Sequence, residues 1–133
     1  MTFEELVVTA KKYINPKQFS PFIEGGQVAS AILTEDGNVY VGICILTKCS
    51  QGTCAERNAI QNMLTHNETK IKKLVCVDKS NQVRLPCGAC REYLMQLDKE
   101  SKEIQILTDM NTGAYVTLKE LHPGWWGEGR FDN

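Results

Sequence analysis

The sequence has no apolar run near the roughly 20 residues that a bilayer-spanning helix needs, which argues against an integral membrane protein. It also has no excess of basic charge. Lys and Arg number 15 against 16 Asp and Glu, so the chain has no general attraction to nucleic acid backbones. The first residues are acidic where a signal peptide needs a cationic region, and we expect a cytoplasmic protein. With 42% hydrophobic residues and no low-complexity segment, the chain is predicted to form one domain over residues 1–133.

Cysteine is the residue type that stands out. No export signal accompanies the cysteines, and the apolar content suffices for an ordinary core. We therefore expect reduced thiols rather than three disulfides, with a subset serving metal binding or catalysis. The six positions are Cys44, Cys49, Cys54, Cys76, Cys87 and Cys90.

Hydrophobic periodicity predicts alternating helices and strands. Thr2 and Glu5 form a capping-box pair before the first helix, Pro16 and Pro21 predict a loop after it, and Asp36-Gly37 is a strong hairpin signal. The predicted elements are a helix over 3–14, strands over 28–33 and 39–46, a helix from about 55, a strand over 74–77, a helix from Cys87, strands over 104–107 and 114–116, and a short helix capped by Thr117. This order predicts an α/β fold, a single three-layer domain with a mixed central sheet of about five strands and helices on both faces.

Three cysteines lie at the starts of two predicted helices. A Cys-x-x-Cys pair alone is compatible with a zinc half-site, a redox pair or chance, but Cys54 adds a third thiol to Cys87 and Cys90. Three thiolates on Zn²⁺ leave one tetrahedral position open, which is typical of a catalytic site. Glu56, two residues after Cys54, is then placed to move protons. A fourth ligand, for which Cys49 is the candidate, would instead close the site and make it structural.

The residues around this cluster have functional and ordinary interpretations. Helix N-termini stabilise thiolates, and Arg57 and Arg91 are placed either to neutralise them further or to lie in solvent. Cys44 and Cys76 fall within predicted strands, where cysteine usually behaves as a small hydrophobic residue. Asn58 is interpreted as a surface residue of the second helix.

The sequence Cys-x-Glu at 54–56, followed by Pro-Cys-x-x-Cys at 86–90, resembles the zinc-dependent cytidine deaminase superfamily. With Cys54 as the first ligand, it is similar to the all-cysteine branch, which contains free-nucleoside cytidine deaminases and blasticidin S deaminase. The resemblance implies a cytidine deaminase-like fold, one Zn²⁺ per subunit, and hydrolytic removal of the 4-amino group of a free cytosine-type nucleoside or analogue, with Glu56 as proton carrier. It also implies a homotetramer, with no nucleic acid or membrane partner.

Within this branch, the start of the second strand and the C-terminal tail look most like blasticidin S deaminase. That resemblance implies substrate contacts from Gln27, Arg84 and Trp126, and from the Ala55 backbone. Each of the three side chains also has an ordinary interpretation, as a hairpin-edge glutamine, a loop arginine and a tail anchor. The family's ribose-holding stretch corresponds to Cys44–Leu46, which carries no carboxylate, so ordinary cytidine is predicted to bind poorly.

Two alternatives remain open at this stage. Deamination of a base within a nucleic acid predicts tight, salt-dependent oligonucleotide binding. A non-catalytic structural-zinc or regulatory relative of the same fold predicts indifference to substitution of Glu56. The structural-zinc version also predicts a fourth protein ligand.

Overall fold

A computed structural model describes residues 1–132 of the protein; Asn133, the last residue of the predicted domain, lies outside the described residues. The helices and strands follow the predicted alternation. In chain order they are α1 (Phe3–Lys11), β1 (Lys17–Ser20), β2 (Ile23–Thr34), β3 (Val39–Leu46), α2 (Ala55–Thr65), β4 (Ile71–Asp78), α3 (Gly88–Met95), a 3₁₀ turn (Ser101–Glu103), β5 (Gln105–Leu107), β6 (Tyr115–Thr117) and α4 (Leu118–Leu121). No helix within residues 1–132 has the length and apolar character needed to cross a membrane.

The strands form one mixed sheet in the order β1-β2-β4-β5-β6, with β3 also paired to β2. β2 runs antiparallel to both β3 and β4, whereas β4 and β5 are parallel. The hairpin between β2 and β3 turns at the predicted position, where Gly37 adopts a positive φ of 87°. The C-terminal ends of β3 and β4 therefore meet the start of β2 at one edge of the sheet.

Two hydrophobic clusters cover the two faces of the sheet and make three layers. On one face, Ile32 and Leu74 pack with α2, α3 and α4. On the other face, Ala31 and Val75 pack with Leu6 and the rest of the buried side of α1. The alternation of neighbouring strand residues between these clusters is the period-two pattern of a sheet buried on both sides. The predicted three-layer α/β fold with a mixed sheet is confirmed.

The second helix lies unusually close to the third strand. A Cβ placed on Gly42 would lie 2.3 Å from the backbone N of Ala59 and 2.5 Å from the carbonyl O of Ala55. Only a residue without a side chain allows this approach. Gly42 therefore determines how far the N-terminal end of α2 stands from the sheet.

The sheet has six strands, one more than the approximate five expected. The additional strand is β1, in a segment where Pro16 and Pro21 predict a loop. It is a short, largely exposed edge strand that pairs with Ile23–Gly25, so long-range pairing rather than local propensity forms it. The first helix also ends earlier than predicted, at Lys11 instead of residue 14.

Candidate metal-centred active site

Two helix N-termini bring the three cysteines together. Cys54 is the N-cap residue of α2 and Cys87 that of α3; both have extended backbones, and neither side chain caps its helix. Cys90 lies in the first turn of α3 and is fully buried. The Sγ atoms of Cys54 and Cys87 are 3.8 Å apart, and those of Cys87 and Cys90 are 3.5 Å apart.

These spacings fit one zinc ion. Zn–S bonds of about 2.3 Å at tetrahedral angles place neighbouring sulfurs about 3.8 Å apart. All three Sγ atoms lie within 4.8 Å of one another, and this is the one cluster of potential ligands found within residues 1–132. Cys49 is exposed and is not part of it. The donor set therefore provides three of four tetrahedral ligands, which is the pattern of a catalytic zinc site.

Arg57 is a cation in contact with the cluster. Its Nη2 lies 3.8 Å from Cys54 Sγ, and hydrogen bonding to this thiol is the main reason that the pKa of Arg57 is raised. Its Nε is buried without a hydrogen-bond partner among the described residues. Arg91, the other candidate, instead donates to the carbonyls of Pro86 and Leu121. Arg57 is thus placed to offset thiolate charge, whereas Arg91 ties α3 to α4.

The pKa values of the two cysteines of α3 are shifted in opposite directions. Burial opposes ionisation of Cys87, but backbone and thiol donors from Cys90, together with the Ala89 backbone, lower its pKa overall. For Cys90, burial and then the charge of Glu56 raise the pKa. The cluster thus combines one exposed, acidified thiol with one buried thiol, and a bound cation would favour the deprotonated form of both.

Glu56 is a buried carboxyl group beside this cluster. Its side chain belongs to the first turn of α2, and the residue is only 5% exposed. Burial raises its pKa, while a backbone hydrogen bond and the Cys76 thiol act in the opposite direction. Cys76 is on β4 and is itself buried. A buried carboxyl with a raised pKa, next to a metal cluster, has the properties of a group that takes up and releases protons.

A β-bulge presents another polar side chain at the same edge of the sheet. The pairing of β2 with β3 shifts register between Gly25 and Ala29, and Gly26 within the bulge has a φ of 87°. The bulge turns Gln27 towards β3, where its Oε1 accepts a hydrogen bond of 3.2 Å from Cys44 Sγ. Cys44 is therefore not only a strand residue, as its position suggested, but also the residue that orients Gln27.

A cavity of about 310 Å³ opens beside Cys54 and Arg57. It extends along the end of β3 and the loop that precedes α2, and its volume is at the lower end of the range for small-molecule sites. The lining residues are Cys44, Ile45, Leu46, Thr47, Ser50, Gly52, Thr53, Cys54 and Arg57.

The residues predicted to contact the substrate differ in where they lie relative to the cysteine cluster. The backbone N–H of Ala55 begins α2 next to Cys54 and has no intrahelical acceptor. Arg84 instead pairs with Asp78 at 2.8 Å. Trp126 donates to Glu92. Glu92 comes two residues after buried Cys90, about 200° around α3, and therefore lies on nearly the opposite side of this helix. Within one chain, Ala55 is adjacent to a cluster cysteine, whereas Gln27, Arg84 and Trp126 bind Cys44, Asp78 and Glu92.

Asn58 is a structural residue of the site that sequence reasoning missed. It was expected at the surface, but it is half-buried, and its Nδ2 donates to the Ile43 carbonyl at 2.7 Å. Its Oδ1 accepts from Thr53 Oγ1 at 2.5 Å. Asn58 thereby ties α2, the preceding loop and β3 together around Cys54. The only available signal was a polar residue one turn after the proposed ligand.

The family model for the zinc-binding region of cytidine and deoxycytidylate deaminases matches residues 4–108. A cytidine deaminase from Sporosarcina psychrophila is 28% identical over 125 residues, covering 93% of this chain and 90% of the relative. One from Halalkalibacterium halodurans is 29% identical over 100 residues, covering 74% of this chain and 75% of the relative.

Solved structures are similar over nearly the whole chain. The crystal structure of cytidine deaminase from Mycobacterium tuberculosis has a TM-score of 0.75 and 25% identity, covering 96% of this chain and 98% of that one. The structure from Bacillus anthracis has a TM-score of 0.70 and 26% identity, covering 95% and 91%. The family match extends over both zinc motifs and agrees with the geometry of the three thiols. The chain therefore belongs to the cytidine and deoxycytidylate deaminase zinc-binding family, and its cofactor is one zinc ion held by a Cys54, Cys87 and Cys90 cluster.

Proposed function

We propose that this protein is a zinc-dependent hydrolytic deaminase of a free cytosine-type nucleoside or nucleoside analogue. In the net reaction water adds at C4 of the pyrimidine, the C4–N bond breaks, a carbonyl forms and ammonia leaves. The observation that carries the proposal is the convergence of three thiols at zinc spacing with buried Glu56, all at two helix starts. Family membership and the names of the relatives support the same reaction.

Each residue of the site has a distinct proposed role. Cys54, Cys87 and Cys90 hold the zinc, which when bound lowers the pKa of a water towards neutrality. Glu56 accepts a proton from the attacking water and passes protons to ring N3 and to the departing amine. The free N–H of Ala55 is placed to donate to an acceptor on the ring.

Substitution of Glu56 tests the reaction directly. Glu56→Gln keeps the size and burial of the side chain but removes its proton-carrying capacity, so ammonia release should fall at least about 10²-fold while zinc content stays at one per chain. Glu4→Gln, on the exposed first turn of α1, is the matched control and should retain full activity. Undiminished turnover by zinc-loaded Glu56→Gln would contradict the proton-carrying role of Glu56, whereas zinc-loaded wild-type protein that releases no ammonia would favour the non-catalytic interpretation.

The choice among cytosine compounds requires its own assay. Ammonia release from cytidine, 2′-deoxycytidine, cytosine and blasticidin S should be compared with zinc-loaded protein. Cytosine nucleosides are the favoured class because the relatives reported above are named cytidine deaminases. Blasticidin S is the analogue for which Gln27, Arg84 and Trp126 were predicted as contacts; within one chain these side chains bind Cys44, Asp78 and Glu92 respectively.

We further propose that the protein assembles as a homotetramer, as the resemblance implies. Large exposed apolar side chains that such an assembly would cover include Phe22 at 66%, Trp126 at 63% and Leu46 at 50% exposure. In such an assembly, Trp126 of one subunit would be able to contact the active site of a neighbouring subunit. Sedimentation equilibrium at micromolar concentration should give four times the chain mass, and a monomer would contradict this proposal.

Residues 1–133 are proposed to fold as one domain in the cytoplasm. All six cysteines are free thiols, which fits a reducing compartment. One cooperative unfolding transition of the zinc-loaded protein, and a cytoplasmic signal from a fluorescent fusion, are the expected observations.

A further inference from the structure

A row of three residues crosses the sheet on the face that α2 covers. Ser30 on β2 pairs with Gly42 on β3 and with Cys76 on β4. Alternation along the strands places these residues on the same face as Ile32 and Leu74, which pack with α2. This set of three, here called the Cys76 row, is one step nearer the C-terminal ends of β3 and β4, from which the chain continues to the two zinc motifs.

Glu56 lies over the Cys76 row. It comes four residues, about one helical turn, before Ile60, which packs in the hydrophobic cluster of this face, so the two side chains share one side of α2. The first turn of α2 is also the part of the helix that lies against this row, because a Cβ on Gly42 would meet the Ala55 carbonyl O at 2.5 Å. The buried carboxyl group of Glu56 therefore faces the sheet at Cys76.

Cys76 is the one side chain of this row that has a proton to offer to Glu56. Gly42 has no side chain, and the Ser30 hydroxyl already donates to the Val75 carbonyl at 2.8 Å. The side chain of Cys76, by contrast, forms a hydrogen bond with the carboxyl group of Glu56. An ionised carboxylate only accepts hydrogen bonds, so the thiol is the donor.

The surroundings of Cys76 differ from those of an ordinary core residue. It is 1% exposed, yet it belongs to neither of the two hydrophobic clusters that cover the faces of the sheet. Burial is the main reason that the pKa of Cys76 is raised, followed by the charge of Glu56 and the hydrogen bond with it. A thiol has a single proton, so it binds one oxygen of the carboxyl group and leaves the other free.

We infer that Cys76 is a positioning residue for proton transfer, whose S–H holds one oxygen of the Glu56 carboxyl group and thereby directs the other oxygen to the zinc cluster. This inference rests on the proposed function. Because Cys76 is buried beneath α2 and acts through Glu56, its loss should lower kcat and leave KM unchanged.

The first experiment observes the hydrogen bond without any substrate. Three of the six cysteines hold the zinc, so the zinc-loaded protein has S–H groups on Cys44, Cys49 and Cys76. The infrared S–H stretching band of a thiol moves to lower frequency when the thiol donates a hydrogen bond, and subtracting the spectrum of Cys76→Ser in each background isolates the band of Cys76.

This band should move to higher frequency in Glu56→Gln, because a neutral amide oxygen is a weaker acceptor than a carboxylate. Glu4→Gln makes the same change of side chain on the exposed first turn of α1 and should leave the band in place. The same frequency in wild type and Glu56→Gln would overturn the inference.

The second experiment separates the donor from the packing of the side chain. Cys76→Val has no donor, and neither does Cys76→Ala, which is smaller and cannot clash; in both, kcat should fall at least about tenfold with KM unchanged. Cys76→Ser keeps a donor and should lie closer to wild type. A purely hydrophobic role predicts the reverse order, with the buried hydroxyl of Cys76→Ser the most damaging, and that order would overturn the inference.

Ser30→Ala is the matched control within the Cys76 row. It removes a hydroxyl that is bound to a backbone carbonyl and not to Glu56, so stability should fall while kcat stays at the wild-type value. A fall in kcat equal to that of Cys76→Val would assign the effect to packing of the row and would overturn the role of the thiol.

Failure of the proposed function and failure of this inference give different results. If no cytosine compound releases ammonia, the proposed function is wrong and the positioning role falls with it, whatever the infrared band shows. If wild type releases ammonia and Cys76→Val does so with the same kcat, the proposed function stands and only this inference is overturned.

Discussion

Replacing Gly42 by alanine tests how the fold positions the site. The new Cβ would lie 2.3 Å from Ala59 N, 2.5 Å from Ala55 O and 2.7 Å from Asn58 C. Ordinary contacts begin at 3.4 Å, so α2 must move away from β3 by about 1 Å. All three contacts are to helix backbone, and no side-chain rotation relieves them.

The displacement should lower both stability and activity. Overpacking of this kind costs about 1–3 kcal/mol, which corresponds to a fall in Tm of roughly 3–12 °C for a domain of this size. A shift of about 1 Å at Cys54 and Glu56 should reduce kcat/KM for deamination by about 10²-fold.

Thermal unfolding and ammonia release of the zinc-loaded proteins measure these two effects. Gly88→Ala is the control for stability, because a Cβ at Gly88 meets nothing within 4 Å and its φ is not positive, so its Tm should not fall. If Gly42→Ala kept the wild-type Tm and kcat/KM within twofold, the close packing of α2 on β3 could not be what positions the site.

Three further perturbations address other contacts. Asn58→Ala leaves a β3 carbonyl without its donor and should lower the free energy of unfolding by about 1–3 kcal/mol in urea titrations, whereas an unchanged midpoint would show that the clamp is dispensable. Arg57→Met should weaken zinc binding about 10–100-fold in a chelator competition, and Arg57→Lys should weaken it less; equal affinity in all three proteins would refute a role for this cation beside Cys54. Hydrogen bonds from Gln96, two tryptophan indoles and a histidine lower the pKa of Glu92 from 4.5 to about 2, despite partial burial. A lowered pKa stabilises the fold above pH 4.5, and this contribution is lost as the pH falls towards 2. The stability advantage of wild type over Glu92→Gln, about 1 kcal/mol at pH 7 for a partly exposed group, should therefore shrink at pH 3; a constant difference would contradict this.

The parts of the fold that local signals determine could be predicted from sequence. Asp36-Gly37 specified the hairpin because this pair readily adopts the turn, and Thr117 begins α4 with a complete capping box. The strand over Lys17–Ser20 could not be predicted, because two prolines border it and it exists only through pairing with β2. Edge strands of this kind depend on a partner that sequence patterns do not reveal.

The candidate site also has some features that local sequence signals predict and others that depend on long-range pairing. The cysteine cluster was predictable because each ligand belongs to a short motif at a helix start, and the helices bring the motifs together. The contact between Gln27 and Cys44 depends on a bulge that shifts strand register, and the Asn58 clamp depends on a carbonyl 15 residues away. Interactions that require the precise register of a sheet were available only from the structure.

The most direct test of the central claim is zinc-edge X-ray absorption spectroscopy on the purified protein, combined with metal analysis. We predict one zinc per chain with three sulfur neighbours at about 2.3 Å and one lighter oxygen or nitrogen neighbour. Cys54→Ser should lower the sulfur count to two, whereas Cys49→Ser should leave it at three, because Cys49 is not part of the cluster. Four sulfur neighbours, or a protein that binds no zinc, would contradict the account.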